Sequence, residues 1–305
     1  MNLYIAGLYT ANFERGGNGW AKLDDREKVG HASVENFLES YHYIGHGRYS
    51  QRIRENGQCV FLDSGAFSAF SLGVEVDLPA YCRWIKENLD IIRVEDGALM
   101  ASVLDGIGDP LKTYQNQCEM ERLGVRPLPC FHYGEDERYL EWYIANYGYI
   151  TIGGMVPIST PQLFHWLDRI WNKYLTDGSG RARIKVHGFG LTSMDLMKAY
   201  PWYSVDSSSW VQIGAHGNIM MEGKTLGFSS QSPSRKTVNQ HIDSMAPIMR
   251  EAIEQKLTGM GYDPDRLREI QYSRWAFNAE QFANMGRDLK AQGIKFDHQQ
   301  PELFS

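Results

Sequence analysis

Short, continuously apolar stretches recur along the chain. They do not alternate with polar residues, and this is the pattern of strands that are covered on both faces in a parallel sheet. Eight such runs can be assigned, at residues 3–9, 41–44, 60–63, 100–105, 126–132, 149–153, 184–189 and 203–206. The pattern is weakest for the run at 41–44.

Helical patterns separate most of these runs, at residues 79–89, 110–123, 135–147, 160–175 and 192–202. Thr160 and Pro161 suit the N-cap and the first turn of one of them. Strand and helix alternating to eight strands predict an α/β fold, specifically a (β/α)8 TIM barrel. An open, doubly wound sheet has the same periodicity and is the alternative.

The pattern changes after residue 206. Four glycines between 214 and 227 indicate a hairpin-like excursion, and residues 237–256 and 265–292 have helical patterns separated by a turn at Asp263-Pro264. We therefore predict a catalytic barrel domain at residues 1–210. Residues 211–305 are expected to form a C-terminal appendage, a hairpin followed by helices, packed on the barrel.

Charge and cysteine content narrow the class of protein. The net charge of −6 argues against a uniformly basic protein that coats nucleic acid, although it allows a local basic patch. The chain has no apolar run of about 18 residues, so no membrane span is expected. Its four cysteines form no C-x-x-C pair, which disfavours disulfides and a structural zinc and fits a cytoplasmic setting.

Three aspartates, Asp63, Asp105 and Asp206, each lie at the end of an apolar run. The carboxyl ends of parallel strands meet at one edge of a sheet or barrel, so these side chains are expected to converge. Neighbouring carboxylates separate one another's pKa values, which suits acid, base and nucleophilic work on a glycosidic bond. The alternative is that each aspartate caps a following helix.

Small and basic residues accompany these aspartates. Ser64 follows Asp63 directly, and the Gly153-Gly154 pair could offer bare N–H groups to a carbonyl oxygen. His132 and His187 also fall in strand-like runs. His187 has no partner at metal-ligand spacing, so a supporting role in the core is favoured. We expect no metal and no cofactor, and a packing role for Cys130.

The ordered strand-end motifs resemble the tRNA-guanine transglycosylase superfamily over roughly residues 3–227. The six residues beginning at Asp63 are similar to the family's Asp-Ser-Gly-Gly-Phe-Gln. Further matches are the aspartate Asp105, the pair Gly153-Gly154, the turn His187-Gly188-Phe189-Gly190 and the nucleophilic aspartate Asp206.

Two departures from the family pattern affect the expected substrate. His132 stands where the family has glutamine, and the family's C-terminal zinc motif C-x-C-x-x-C is absent because no cysteine follows Cys130. A zinc-free member resembles the phage-type deazapurine DNA transglycosylases (the DpdA family), which exchange guanine in DNA for a 7-deazaguanine. A phage-encoded chain would act in the host cytoplasm.

The resemblance implies roles for these residues. Asp206 would attack the sugar C1′ and Asp63 would shuttle the proton. Asp105 and the N–H of Gly154 would read the guanine edge, and the target nucleotide would be flipped out of the duplex. The other expected substrate contacts are Ser64, Phe67, His132, Gly153, His187 and Phe189, with Phe67 and Phe189 stacking on the base.

DNA and a 7-deazaguanine base such as preQ0 are the implied partners, and the sequence leaves the oligomeric state open. Phosphate contacts are expected from cations late in the chain. The candidates are Lys224, Arg235, Lys236, Arg266, Arg268 and Arg274. A solvated helix face is the alternative for these cations.

Three other functions remain open at this stage. The nearest is a transglycosylase that acts on tRNA. A metal-dependent barrel hydrolase could use His132, His187 and Asp206, although the first strand lacks the H-x-H pair that such sites often have. The third is a non-catalytic base-binding subunit, which would not need the retained aspartates.

Overall fold

The computed structural model describes residues 1–297. Its fold is α/β, with a curled, parallel half-barrel sheet and a helical C-terminal part. The chain divides into two compact units. Among the described residues, the first comprises 1–6, 36–207 and 288–297, and the second comprises 7–35 and 208–287.

Seven parallel strands form the main sheet, in the order β3-β2-β1-β9-β8-β7-β6. Two short antiparallel pairs, β4 with β5 and β10 with β11, lie outside it. The strands are β1 (Asn2–Ala6), β2 (Phe37–Ser40), β3 (Val60–Asp63), β4 (Val94–Glu95), β5 (Ala98–Leu99), β6 (Cys130–His132), β7 (Tyr149–Gly153), β8 (Lys185–Gly188), β9 (Ser204–Ser207), β10 (Asn218–Met221) and β11 (Lys224–Gly227).

Helices connect the strands and make up most of the C-terminal part. They are α1 (Asp25–Ala32), α2 (Tyr41–Ile44), α3 (Arg48–Glu55), α4 (Ala66–Ser71), α5 (Leu78–Glu87), α6 (Pro110–Arg122), α7 (Glu137–Asn146), α8 (Thr160–Ile170), α9 (Met194–Ala199), α10 (Ser209–Ala215), α11 (Pro247–Gly259), α12 (Pro264–Glu269) and α13 (Gln271–Gln292). A π-helical turn (Trp171–Leu175) extends α8. Within residues 1–297, no helix has the length and apolar character needed to cross a bilayer.

The predicted second strand, at residues 41–44, is wrong. Those residues form the short helix α2, and the strand is the preceding segment, β2. The reason is packing: β2 pairs with β1 and β3 in continuous register, whereas the ring of Tyr41 lies 4.8 Å from that of Tyr81 on α5. An aromatic run at a helix surface has the same local pattern as a short buried strand.

The predicted strand at 100–105 is present only as isolated parallel bridges. Ala101 bridges Leu62 of β3, and Ser102 bridges Leu128, which leads into β6. The backbone N–H of Ser102 donates to the carbonyl of Leu62 at 2.8 Å, and that of Leu128 donates to the carbonyl of Ala101 at 2.8 Å. This segment therefore pairs with β3 on one side and with the residues that lead into β6 on the other.

A buried hydrophobic cluster forms a core in the first unit. Its members come from successive strands and from the 100–105 segment: Tyr4, Ala6, Leu38, Phe61, Met100, Leu128 and Tyr149. Each large apolar side chain removed from water contributes roughly 1.5–3 kcal/mol. The apolar strand runs are explained by this shared core.

The second unit has its own core and includes a segment that the sequence did not assign to it. The hairpin of β10 and β11 is confirmed, and it packs with α11 and α12 through Ile219, Leu226, Leu257 and Leu267. Residues 7–35 belong here rather than with the predicted domain 1–210. Ion pairs from Arg26 to Glu280 and from Arg266 to Glu27 attach this segment.

Candidate active site

Asp63 ends β3 and is oriented by a tight turn. The backbone N–H of Gly65 donates to Oδ2 of Asp63 at 2.9 Å. Gly65 has a φ of +76°, and a Cβ at this position would lie 2.3 Å from Oγ of Ser40 and 2.5 Å from Cβ of His42. Glycine is therefore required here for both conformation and space.

Ser102 connects Asp63 to the 100–105 segment. Its Oγ lies 3.5 Å from Oδ1 of Asp63 and accepts a hydrogen bond from the N–H of Ser64 at 2.8 Å. The hydroxyl of Tyr81 donates to the carbonyl of Ser102 at 2.9 Å. The same segment carries Asp105, so its pairing with β3 brings both aspartates to one end of the sheet.

Burial first, and then the charges of Asp105 and Asp206, raise the pKa of Asp63 to about 7, against the lowering effect of the hydrogen bonds from Gly65 N–H and Ser102. The three carboxyl groups therefore interact, as the strand-end pattern predicts. A carboxyl group with this pKa is populated in both protonation states near neutral pH, and it can give and take a proton.

Asp206 is 6% exposed and is held through one oxygen. Oδ1 accepts from the N–H of Gly190 at 2.8 Å and lies 3.3 Å from Nε2 of His187. Oδ2 has no hydrogen-bond partner within residues 1–297, so this oxygen is available to react. A carboxylate fixed by one oxygen with the other uncommitted has the arrangement of a nucleophile.

His187 supports Asp206 and is fully buried, which corrects its predicted contact with substrate. Its Nδ1 lies 2.7 Å from Oγ of Ser204, which in turn lies 2.7 Å from the hydroxyl of Tyr149. One set of protons satisfies this chain: Tyr149 donates to Ser204, Ser204 to Nδ1, and Nε2–H to Asp206. The chain fixes the ring so that its N–H faces the carboxylate.

Asp105 pairs with His132 instead of standing alone. Oδ2 of Asp105 lies 3.4 Å from Nε2 of His132, and Nδ1 of His132 lies 2.8 Å from Oε1 of Glu135. Burial opposes a charge on this ring, but Cys130 and Asp105 reverse that effect and raise the pKa of His132 well above its ordinary value. Burial raises the pKa of the Cys130 thiol to about 11, so Asp105 is the neighbour that favours imidazolium.

The Gly153-Gly154 pair lies beside His132. Gly153 is buried, and Gly154 is exposed with a φ of +68°. A Cβ on Gly153 would lie 3.0 Å from Sγ of Cys130 and 3.1 Å from Cδ2 of His132, and a Cβ on Gly154 would lie 3.2 Å from Cβ of His132. These glycines leave space around the histidine ring and leave the backbone at Gly154 accessible.

The two phenylalanines expected to stack on a base differ in exposure. Phe67 on α4 is 62% exposed and could meet a planar ligand. Phe189 packs against Phe61 and His187, with ring centroids 5.6 and 4.7 Å away. These two side chains cover part of the ring that a base would need for stacking. The side chain of Ser64 is buried, and its N–H is bonded to Ser102.

Half of the cations expected to bind phosphate are engaged inside the second unit, and the prediction for them is corrected. Arg274 is 5% exposed and donates to the carbonyls of Gly214 and Leu267. Arg266 pairs with Glu27, and Arg268 with Asp243 and Glu254. Lys224, Arg235 and Lys236 are exposed, and Arg235 also lies 3.7 Å from Asp243.

Several site residues were missed by sequence reasoning. They are Ser102, Glu135, Ser204 and Tyr149. Glu135 had a detectable signal, since it follows His132 by three residues at a strand end. Ser204 and Tyr149 had none, because a polar group inside an apolar strand is interpretable only when its cross-strand neighbour is known.

Comparison with known proteins adds no relative to this description. No protein-family model matches the chain, and a search of curated proteins returned no significant match.

Proposed function

We propose that the chain is a pentosyltransferase that exchanges guanine in DNA for a 7-deazaguanine base through a covalent aspartyl-sugar intermediate. The observation that carries the proposal is the pairing of two differently held carboxyl groups. Asp206 is fixed through Oδ1, and Asp63 has a pKa raised to about 7. A nucleophile beside an acid–base group is the combination that two-step glycosyl transfer requires.

We also infer that the sheet closes into a (β/α)8 barrel, with the 100–105 segment as the eighth strand. The support is its bridges to Leu62 on one side and Leu128 on the other. The core cluster drawn from successive strands is consistent with closure. In such a barrel the reactive groups gather at the carboxyl ends of the strands.

The reaction would proceed in two displacements. In the first, Oδ2 of Asp206 attacks C1′, the bond from C1′ to guanine breaks, and Asp63 gives its proton to the departing base. In the second, Asp63 takes a proton from the incoming 7-deazaguanine, whose nitrogen attacks C1′ and displaces Asp206. One glycosidic bond is broken and one is formed, so the exchange needs no ATP.

Recognition of the base would rest on Asp105 and Gly154. Oδ1 of Asp105 is buried without a hydrogen-bond partner among residues 1–297, and a guanine N–H donor would satisfy it. The backbone at Gly154 could donate to the base carbonyl, and Phe67 could stack on the ring. A base reaches such a site only from a flipped nucleotide or a single strand.

The DNA assignment rests on exposed cations and on the sequence motifs. Lys224, Arg235 and Lys236 are the exposed cations of the expected set, and phosphate contacts commonly come from such residues. The sequence lacks the superfamily's C-x-C-x-x-C zinc motif, which favours DNA over tRNA as the substrate. The resemblance to the DpdA family favours DNA as well.

The proposal is tested by incubating the purified chain and a labelled 7-deazaguanine with guanine-containing DNA or with tRNA. Label in DNA is the expected result. Label in tRNA alone would overturn the DNA assignment, and release of guanine without uptake of label would indicate a hydrolase.

Asp206→Asn should lower the exchange rate by about 1,000-fold or more, because the variant lacks the nucleophile. The exposed Asp195 on α9 provides the matched control, and Asp195→Asn should retain the wild-type rate. The measurement is label incorporation per enzyme over time. A near-normal rate in Asp206→Asn would remove this residue from the nucleophilic role.

A further inference from the structure

The side chains of Asp105, Cys130 and His132 form a compact cluster of metal-type donors. One carboxylate oxygen, one sulfur and one ring nitrogen all lie within 4.8 Å of one another. Nε2 of His132 is 3.4 Å from Sγ of Cys130 and 3.4 Å from Oδ2 of Asp105. A tetrahedral zinc with bonds of about 2.0–2.3 Å holds its donor atoms about 3.3–3.7 Å apart. The two separations from Nε2 already suit one ion, and the sulfur and the carboxylate oxygen lie within 4.8 Å of each other.

The orientation of His132 suits a metal ligand. Glu135 accepts from the backbone N–H of His132 through Oε2 at 3.0 Å, and its Oε1 lies 2.8 Å from Nδ1. This two-point contact favours the proton on Nδ1 and turns Nε2 toward the sulfur and the carboxylate. A carboxylate behind the distal nitrogen is the usual support of a zinc-binding histidine.

Gly153 gives the cluster its space. A side chain here would press on the Cys130 sulfur at 3.0 Å and on the His132 ring at 3.1 Å. Cys130 is fully buried, so its sulfur is sheltered from solvent and from other thiols.

We propose that Asp105, Cys130 and His132 bind a divalent transition metal ion, with zinc the best fit to one thiolate, one imidazole and one carboxylate. This site goes beyond the proposed exchange reaction and does not depend on it. Three protein donors leave the fourth tetrahedral position to water or to a polar atom of a substrate. Asp105 would use Oδ2 for the metal and keep Oδ1 for a base, so both proposals can hold together.

The site revises two expectations from the sequence. Cys130 was assigned to packing, and no metal was expected because His187 had no partner at ligand spacing. The ligand set instead uses the other strand-end histidine and joins β6 to an aspartate that is 25 residues earlier in the chain, so the site is invisible as a local motif.

The test is cobalt binding by the purified, chelator-treated full chain, followed by visible and near-ultraviolet absorption. One equivalent of Co²⁺ should give the intense d–d bands of a tetrahedral site and a thiolate-to-cobalt charge-transfer band. Cys130→Ser should abolish the charge-transfer band, whereas Cys82→Ser, at a buried free cysteine on α5, should keep it. Absence of these bands in the wild type would overturn the proposal, and so would their survival unchanged in Cys130→Ser.

A second variant tests the support of the histidine. Glu135→Gln retains the size of the side chain but weakens the hold on Nδ1, and it should lower cobalt affinity about 10- to 100-fold. Circular dichroism of each variant establishes that it is folded before titration. An unchanged affinity in folded Glu135→Gln would contradict the assigned geometry. None of these readouts uses the exchange reaction, so its failure would leave the metal site standing.

Discussion

At the scale of single residues, the site depends on how unequally its carboxyl groups are held. Asp206 takes both of its hydrogen bonds on Oδ1, from Gly190 and His187. Within residues 1–297, Asp63 receives only Gly65 N–H and a long contact from Ser102, and the charges of two other carboxyl groups act on it. The same residue type therefore has two chemical roles because of its surroundings.

The pKa of Asp63 makes stability depend on pH. In the unfolded chain this pKa is about 3.9, while burial and the neighbouring Asp105 and Asp206 raise it to about 7 in the folded protein. Between these two pH values the folded state binds more protons than the unfolded state. The contribution of Asp63 to the free energy of unfolding is therefore fully present below about pH 4 and is lost as the pH rises through about 7. The total loss should be no more than about 4 kcal/mol.

Asp63→Asn removes this titration. The free energy of unfolding, measured in urea from pH 4 to 8, should fall less steeply in the variant than in the wild type, and Asp195→Asn should follow the wild-type slope. Parallel profiles for wild type and Asp63→Asn would show that Asp63 has an ordinary pKa.

At the scale of elements, the site is built by short turns that follow strands. Gly65 follows β3 by two residues in a left-handed conformation and lies against Ser40 of β2 and His42 of α2, and its N–H donates to Asp63. The sequence identified this glycine by its motif. The close contact with Ser40 and His42 depends on strand pairing and could not be read from the local pattern.

Gly65→Ala tests this packing against Gly73→Ala. Both glycines have a positive φ, +76° at Gly65 and +68° at Gly73. A Cβ added at Gly65 would meet atoms of Ser40 and His42, whereas a Cβ added at Gly73 would have no atom of residues 1–297 within 4 Å. The conformational cost alone should be about 1 kcal/mol, as in Gly73→Ala. Overpacking should add about 1–3 kcal/mol in Gly65→Ala. Urea unfolding measures both, and equal losses would mean that the contacts relax freely.

At the scale of the whole molecule, contacts distant in sequence decide how the chain is divided. Residues 7–35 follow β1 directly, yet they join residues 208–287 in the second unit. Glu27 is central to that unit, because its nearly buried carboxylate accepts from Arg266 at 2.7 Å and also bonds Ser273. Burial would raise the pKa of Glu27, but Arg266, Ser273 and the Asp24 N–H together lower it.

Arg266→Ala should destabilise the protein by about 3–5 kcal/mol, because it leaves a buried carboxylate without its cation. Because the pKa of Glu27 is lowered in the folded protein, the ion pair stabilises the fold above about pH 4.3, the pKa of an unfolded glutamate. This stabilisation is lost as the pH falls below that value. Urea unfolding at pH 7 is the measurement. Lys28→Ala, which breaks only the exposed pair with Asp25, should cost about 0.5 kcal/mol or less. Equal effects would indicate that Arg266 is a surface cation.

The sequence alone determined where apolar strands end and which acidic residues stand at those ends. Asp63, Asp105 and Asp206 were found because burial on both faces leaves a strong local signal and because a strand end is marked by a polar residue or glycine. The α/β class and most of the strands followed from the same signal, whereas the hairpin at residues 218–227 followed from its glycines.

Only the tertiary structure decided which side chains meet. The chain from Tyr149 to Asp206, the support of His132 by Glu135, the cluster with Cys130 and the burial of Arg274 all depend on contacts between separate segments. Hydrophobic periodicity indicates that a residue is buried, but it does not indicate which residue it contacts. Charges, hydrogen bonds and metal ligands act between particular atoms, so their arrangement is defined only once the strands have paired.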